Sequence, residues 1–408
     1  MIENKKPQIT IFLTVFIYLL GFGMIIPIIP LISTQYGATP LQTGLLLSVY
    51  SAMQFLFSPV WGRLSDRYGR RPILLVCLIG EIFAYLFFAL ARNLEMIFIA
   101  RALSGFFGAS ISTASAYISD ITPANQRSKG MALIGAAFGL GFLFGPAIGG
   151  GLTWWAQKLS DDPFFHTSFS SYWVSFLCLV TFVFAFFNLK ETLNKDLLNK
   201  NSLGRIKAIT KYFSAPVIGP LIFVFFLSSF AMSTMEVTLV LYMKDKFGWG
   251  LLEVSYGFAY VGLMIVLTQG FLVRRLIPKF GERNVLRLGL IFMAMGFCGI
   301  AAAQSLFALA LTQTFLALGV GFVNPSILGS ISLLADPNEQ GAVLGTTQSM
   351  ASFGRIVGPA LGGALYGSFF IQSPFIMAGL LILTGLFVVI VIFKQIPIAG
   401  LEKKPDAK

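Results

Sequence analysis

Charge is what this sequence has least of. Only 11% of its 408 residues are Asp, Glu, Lys or Arg, while 56% are hydrophobic and the mean hydropathy is +0.81. So much apolar surface has no place inside a water-soluble core of ordinary shape, which excludes a soluble globular protein. Cysteine is scarce: Cys77, Cys178 and Cys298 stand apart from one another and from the single histidine, so neither a disulfide framework nor a zinc or other metal site is indicated. The phosphate-binding pattern Gly-x-x-x-x-Gly-Lys-Ser/Thr is missing, which removes ATP as an energy source and leaves no sign of an enzyme or a cofactor. Ten-residue stretches that alternate apolar and polar positions are also missing, and with them the transmembrane barrel.

What the chain has is a succession of apolar segments, each about 20 residues long and so able to cross a hydrocarbon core of ~30 Å. Twelve are expected, over 8–33, 42–62, 72–91, 96–119, 130–153, 171–189, 214–243, 252–273, 286–305, 308–335, 343–368 and 374–394. Read as helices, they satisfy their own backbone hydrogen bonds in lipid. The fold class is therefore an all-α membrane protein in contact with the bilayer. The first segment is too long for a signal-peptide core and lacks a cleavage site, so it counts as helix 1.

The net charge of +12 reports topology rather than nucleic-acid binding. Of the 29 Lys and Arg, 23 fall at the termini or in alternate loops, and only Arg92, Lys158, Lys244 and Lys246 fall on the other side. Both termini are thus predicted to be cytoplasmic. Arg101 and Arg355 lie within predicted helices. All five Trp (Trp61, Trp154, Trp155, Trp173 and Trp249) fall at predicted helix ends, where interfacial anchors belong.

The long hydrophilic stretch from Lys190 to Lys211 divides the chain into residues 1–189, a linker 190–213 and residues 214–408, with six helices in each half. The halves share sequence: Gly145–Leu152 matches Gly358–Leu365 at six of eight positions. Such a duplicated six-helix unit suits transporters whose two bundles rock about a midplane site.

Between the second and third apolar segments lies Gly62-Arg63-Leu64-Ser65-Asp66-Arg67-Tyr68-Gly69-Arg70-Arg71-Pro72. Its glycines permit a tight turn, its arginines hold it in the cytoplasm, and Asp66 can pair with a guanidinium. A weaker copy in the second half aligns Gly270 and Gly281 with Gly62 and Gly69. The run resembles the signature loop of the major facilitator superfamily, and in particular its twelve-helix drug:proton antiporter branch, which includes the bacterial tetracycline exporters. The resemblance implies two six-helix bundles in a bacterial inner membrane, working as a monomer. It also implies efflux of a small-molecule substrate, hydrophobic or cationic, in exchange for protons. Gly62, Asp66, Gly69, Arg70, Arg71, Asp120 and Arg127 would by that match form a cytoplasmic gate. The alternative is a solvated charge cluster worth under about 1 kcal/mol per pair.

Small residues at Gly141, Gly145, Pro146, Gly149 and Gly150 leave one face of predicted helix 5 nearly bare backbone, as ordinary close packing also would. The run resembles the family's antiporter motif. Arg101, roughly two turns inside helix 4, matches an arginine the family uses in proton coupling, and otherwise reads as an interhelical hydrogen-bond donor. Antiport needs an acid that can be neutral in one state and ionised in another. Glu81 in helix 3 and Glu236 in helix 7 are the two acids well inside predicted helices. Glu81 sits at the height of Arg101, which would tune it; the alternatives are a helix-packing carboxyl for Glu81 and an interfacial one for Glu236. Where tetracycline exporters carry acids in helices 1, 3 and 9, this chain has Tyr18, Ala84 and Met293.

Tyr18, Gln54, Asn324 and Gln348 are polar in apolar surroundings and are assigned to a substrate cavity. Helices 1 and 10, with Pro27 and Pro325, are expected to be interrupted beside it. Two further readings remain: an exporter of one endogenous metabolite such as a siderophore or sugar, and a transport-dead sensor on the same fold.

Overall fold

The computed structural model describes residues 6–122, 127–193, 210–335 and 339–392, with Ile396. Every regular element among them is helical. In chain order they are α1 (Lys6–Ile25), α2 (Ile28–Gln35), α3 (Pro40–Tyr68), α4 (Arg70–Ala89), α5 (Leu94–Gly108), α6 (Ile111–Ile121), α7 (Arg127–Leu159) and α8 (Pro163–Asn188). There follow α9 (Ile218–Phe247), α10 (Leu251–Leu267) with a π-helical turn Thr268–Val273, α11 (Arg274–Phe280), α12 (Glu282–Ala302), α13 (Leu306–Leu334), α14 (Gln340–Ser368) and α15 (Ser373–Val391). Nine spans among the described residues are long and apolar enough to cross a membrane, or ten if α1 and α2, bent by 41° about Pro27, make one. Thr346, Thr347, Gln348, Ser349 and Arg355 dilute the apolar character of α14, which is not among them. Most of the predicted linker, residues 194–209, lies outside the described residues.

Local chemistry accounts for the helix ends. Thr39 and Gln42 form a reciprocal capping box ahead of Pro40, Asn93 Oδ1 accepts from Met96 N at 2.8 Å to open α5, and Ser305 does the same for α13. Gly69 (φ 109°, ψ 153°) separates α3 from α4, and Gly281 (φ 76°, ψ 159°) separates α11 from α12. Both occupy a region that side chains with a Cβ rarely enter. The two junctions, and likewise the capped starts of α5 and α13, are separated by one and the same stretch of chain. The duplication legible in the sequence is therefore a repeat of backbone geometry.

Three expectations change. Helix 4 is broken at Ala109 and Ser110 into α5 and α6, whereas α13 runs unbroken through Pro325. The short polar residues Ser110, Ser112 and Thr113 let the chain leave the helix: Ser112 Oγ donates to Ala109 O at 3.0 Å, beside the Ser112 backbone N–H at 3.4 Å. Trp61 is not a lipid anchor. It is buried, its indole N–H donates to Phe106 O at 2.7 Å, and its ring packs edge-on against Phe106.

The chain divides into two compact units, Met1–Lys200 with Leu239–Gly262, and Asn201–Thr238 with Leu263–Lys408. In the first, α7 lies directly on the backbone of α1. A Cβ on Gly141 would stand 2.8 Å from Leu19 C, one on Gly145 2.7 Å from Gly23 Cα, and one on Gly149 2.7 Å from Met24 O. In the second unit the same seam joins α9 and α14, with Gly354, Gly358 and Gly362 against Phe230, Ser233 and Thr234. There it is stitched by hydroxyls: Ser229 Oγ to Ala351 O at 2.9 Å, Ser233 Oγ to Gly354 O at 3.1 Å, Thr234 Oγ1 to Gly358 O at 3.2 Å.

The seam in the first unit leaves no room for a side chain. Gly145→Leu is expected to lose about 3 kcal/mol or to fail to fold, as overpacking does, while Gly151→Ala, whose Cβ meets nothing within 4 Å, leaves stability unchanged or slightly raised. Thermal unfolding of the two variants in detergent checks this.

Candidate functional site

Two constellations in the first unit contain most of the charged residues singled out above. The first lies at the junction of α3 and α4. Arg70, the first residue of α4, is buried and reaches Asp66 Oδ1 at 2.5 Å through Nη1, Ser65 Oγ at 2.7 Å through the same nitrogen, and Asp120 Oδ2 on α6 at 3.1 Å through Nε. Asp66 and Asp120 stand 47% and 28% exposed, so the guanidinium is the buried centre of a half-solvated ring of acids. Removing one acid exposes the rest to water rather than stranding a charge, which keeps the cost nearer a partly exposed pair than a fully buried one.

A residue that sequence reasoning passed over completes this cluster. Glu191, just past the end of α8, accepts hydrogen bonds from Arg70 N at 2.8 Å and Arg71 N at 3.1 Å, the first free N–H groups of α4. It also accepts from Thr192 N and Leu193 N, each at 2.9 Å. A carboxylate at a helix start takes both the orphan donors and the dipole. Gly69 faces this carboxylate so closely that a Cβ would collide with Oε2. Arg71 donates to Phe186 O at 2.7 Å and lies over the Phe186 ring. Gly62 faces open space, and the side chain of Arg127, the first residue of α7, lies outside the described residues. The only signal for Glu191 was an acid at the start of a basic linker.

The second constellation lies deep between α1, α3, α4 and α5. Glu81 and Arg101 are each 1% exposed. They lie in one interior without a direct bond: among the described residues no ion pair joins the two. Arg101 instead places its guanidinium 4.3 Å above the Tyr50 ring, a contact worth about 2 kcal/mol when desolvated. Tyr50 OH is hydrogen-bonded to Tyr18 OH, and Gln54 Nε2 donates to Tyr18 OH at 3.3 Å and to Gly108 O at 3.2 Å, a carbonyl at the α5–α6 break. A Cβ on Gly108 would strike Tyr18 OH and sit 3.0 Å from Glu81 Oε1, so the break keeps the space that Glu81 uses. Tyr18 and Gln54 thus join one hydrogen-bonded set with the coupling candidates. Tyr50 was not anticipated; an aromatic ring amid apolar residues carries no distinguishing mark in sequence.

The antiporter motif forms the α7 seam, with Pro146 inside the helix and Gly150 against Ser255. The remaining candidates belong to the second unit. Glu236 is half-buried on α9, Asn324 half-buried on α13 and Gln348 exposed on α14. The spacing that carries Arg70 onto Glu282 and Leu94 onto Leu306 carries Glu81 onto Met293 and Arg101 onto Gln313. Both are neutral and buried, 1% and 3% exposed. No group of three His, Cys, Asp or Glu among the described residues could hold a metal.

Partial burial pushes the Glu191 carboxyl up, but the N–H donors of Leu193, Arg70, Arg71 and Thr192 outweigh it and hold the group below the usual carboxylate range. A depressed carboxylate contributes its full stability above its unfolded value of about 4.3 and loses it as pH falls through the folded value. The protection factors of the amides in the first turn of α4, that is, hydrogen exchange relative to its intrinsic rate at each pH, are therefore expected to be high and flat above about pH 5 and to fall below it. In Glu191→Gln they are low throughout.

The family model described as Major Facilitator Superfamily matches residues 11–279 and 267–408. The class B tetracycline resistance protein of Escherichia coli is 31% identical over 369 residues, 89% of this chain and 89% of that one. Multidrug resistance protein 2 of Bacillus subtilis is 28% identical over 410 residues, 99% of this chain and 98% of that one. Among solved structures, the human organic anion transporter MFSD10 aligns with a TM-score of 0.73 at 25% identity, covering 95% of this chain and 100% of that one.

Proposed function

The chain belongs to the Major Facilitator Superfamily, as a multi-pass membrane transporter resembling the tetracycline-resistance exporters and not an enzyme, and from that premise we propose that it expels hydrophobic or cationic drug-like compounds in exchange for protons. The observation that carries this reading is the buried set around Glu81 and Arg101. A carboxyl and a guanidinium, each 1% exposed in an apolar bundle, cost several kcal/mol to keep and are functional by default.

In the proposed cycle Glu81 takes a proton from the outer side and yields it inward. Arg101, held on Tyr50, supplies a fixed positive charge whose influence on Glu81 changes as helices shift. Glu236 contacts substrate or carries a second proton. Tyr18, Gln54, Asn324 and Gln348 offer hydrogen bonds to substrates. The Asp66–Arg70–Asp120 cluster with Gly62, Gly69, Arg71 and Arg127 is the cytoplasmic gate, and the α7 glycine face limits leakage. The architecture proposed is twelve spans in two halves, 1–189 and 214–408, joined by 190–213, with both termini in the cytoplasm of a bacterium and the protein a monomer in the inner membrane.

A pH dye enclosed in proteoliposomes tests this. Addition of a lipophilic cation such as ethidium is expected to move protons with wild type and at least tenfold more slowly with Glu81→Gln. Folded wild-type protein that moves no protons with any cation would end the multidrug reading in favour of a single-metabolite exporter.

A further inference from the structure

Beside Glu81 the first unit encloses a cavity of about 20 Å³, bordered by Thr14 and Tyr18 of α1, by Glu81, and by Ser110 at the α5–α6 break, with Leu74 and Ile111 among its apolar walls. That volume accommodates one water molecule, and such a water needs two to four polar partners. Both carboxyl oxygens of Glu81 are fully buried and accept no hydrogen bond from the described residues. A buried carboxyl left in that condition loses about 1–3 kcal/mol or more whatever its protonation state, and buried polar groups in native structures are rarely left so. Thr14 Oγ1 spends its own proton on Thr10 O, at 2.9 Å, which leaves its oxygen lone pairs for a donor in the cavity.

The polar surface does not stop at the cavity. On α6, Thr113 and Tyr117 follow Ser110 at helical spacing and are both 0% exposed. The Tyr117 hydroxyl lies at the backbone of Lys190 and close to Glu191 and Arg71, beside the acceptor that clasps α4. One helix face thus leads from Glu81 to the cytoplasmic cluster through hydroxyl groups within an otherwise apolar core that includes Ile11, Leu78 and Ile118.

We propose that this cavity is a water site, that Thr14 and Ser110 are positioning residues which hold one water against the Glu81 carboxyl, and that the hydroxyl face of α6 continues from it toward the cytoplasm. The proton path so described rests on the reading of Glu81 as proton carrier. The water accepts the proton that Glu81 releases and passes one of its own along the α6 face, so it is left unchanged. Gly108, the last residue of α5, keeps this space open, because a Cβ there would strike Tyr18 OH and sit 3.0 Å from Glu81 Oε1.

Infrared difference spectroscopy of the full chain in liposomes, recorded between high and low pH, reads the site without requiring transport. The carbonyl stretch of the protonated Glu81 carboxyl is identified as the band lost in Glu81→Gln. In Thr14→Val with Ser110→Ala that band is expected to shift upward, because the carboxyl loses its hydrogen-bond partner. Thr14→Ser, which keeps the hydroxyl, is expected to leave it in place. Each single variant supplies a smaller shift should the double variant fold poorly. A band unmoved by the loss of both hydroxyls overturns the water site and leaves the carrier reading standing. Wild type that shows no Glu81 band at any pH overturns both.

Discussion

Inside a bilayer a charged side chain has no solvent to fall back on, so whatever stabilises it must come from the chain itself. Most of the first unit's interior follows from that constraint acting on Arg101. Among the described residues the guanidinium forms no ion pair with a carboxylate, and it rests on the face of Tyr50, which is held in place by Tyr18, which is in turn held by Gln54 from the next turn of the same helix as Tyr50. Gln54 spends its remaining donor on a carbonyl that exists unpaired only because helix 4 breaks at Ala109. Remove any link and the next is left as a buried polar group without a partner, which is why such networks behave as units.

The two halves repeat their backbone and diverge in chemistry. Gly69 and Gly281 adopt the same turn, and two glycine faces form the same seam. Yet Arg70 becomes Glu282, Glu81 becomes Met293, and Arg101 becomes Gln313. The bare α1–α7 contact becomes a hydroxyl-stitched α9–α14 contact. Bare backbone surfaces resist sliding only through van der Waals contact, whereas hydroxyl donors must each be broken and remade. The repeat therefore supplies matching turns and seams, of which one set accompanies the buried Glu81 and Arg101 and the other the more firmly tied helix pair.

Composition and segment length sufficed for the membrane class, and the run Gly62–Pro72 sufficed for the family, because both depend on residues close together in the chain; that run was expected as a loop, yet all of it but Gly69 is helical, the end of α3 and the start of α4. Arg70 with Asp66 and Asp120 was legible for the same reason plus the family match. Glu81 with Arg101 shows where such reasoning stops. Rise per residue places two groups at one height on antiparallel helices, but the direction in which each points turns by about 100° per residue. Chain spacing therefore gave the level of Glu81 and Arg101 and not their contacts, of which the Tyr50 ring under the Arg101 guanidinium is one. Glu191 lay beyond reach for another reason: its partners on α4 are more than a hundred positions away in the chain, and an acid in a charged linker looks the same whether it caps a helix or faces water. Trp61 was misjudged because nearness to a helix end says nothing about which side of the helix faces lipid.

The α1–α7 seam has a consequence for descent. At Gly23, Gly141, Gly145 and Gly149 the opposing backbone occupies the place of the first side-chain carbon, so these sites are closed to nineteen alternatives at once. A lineage under selection for a new compound can vary only where the interior still has slack, and a half-buried polar position such as Asn324 is open in that sense. Divergence of substrate range in such a chain is thus channelled into a few surfaces by a contact that itself touches no substrate.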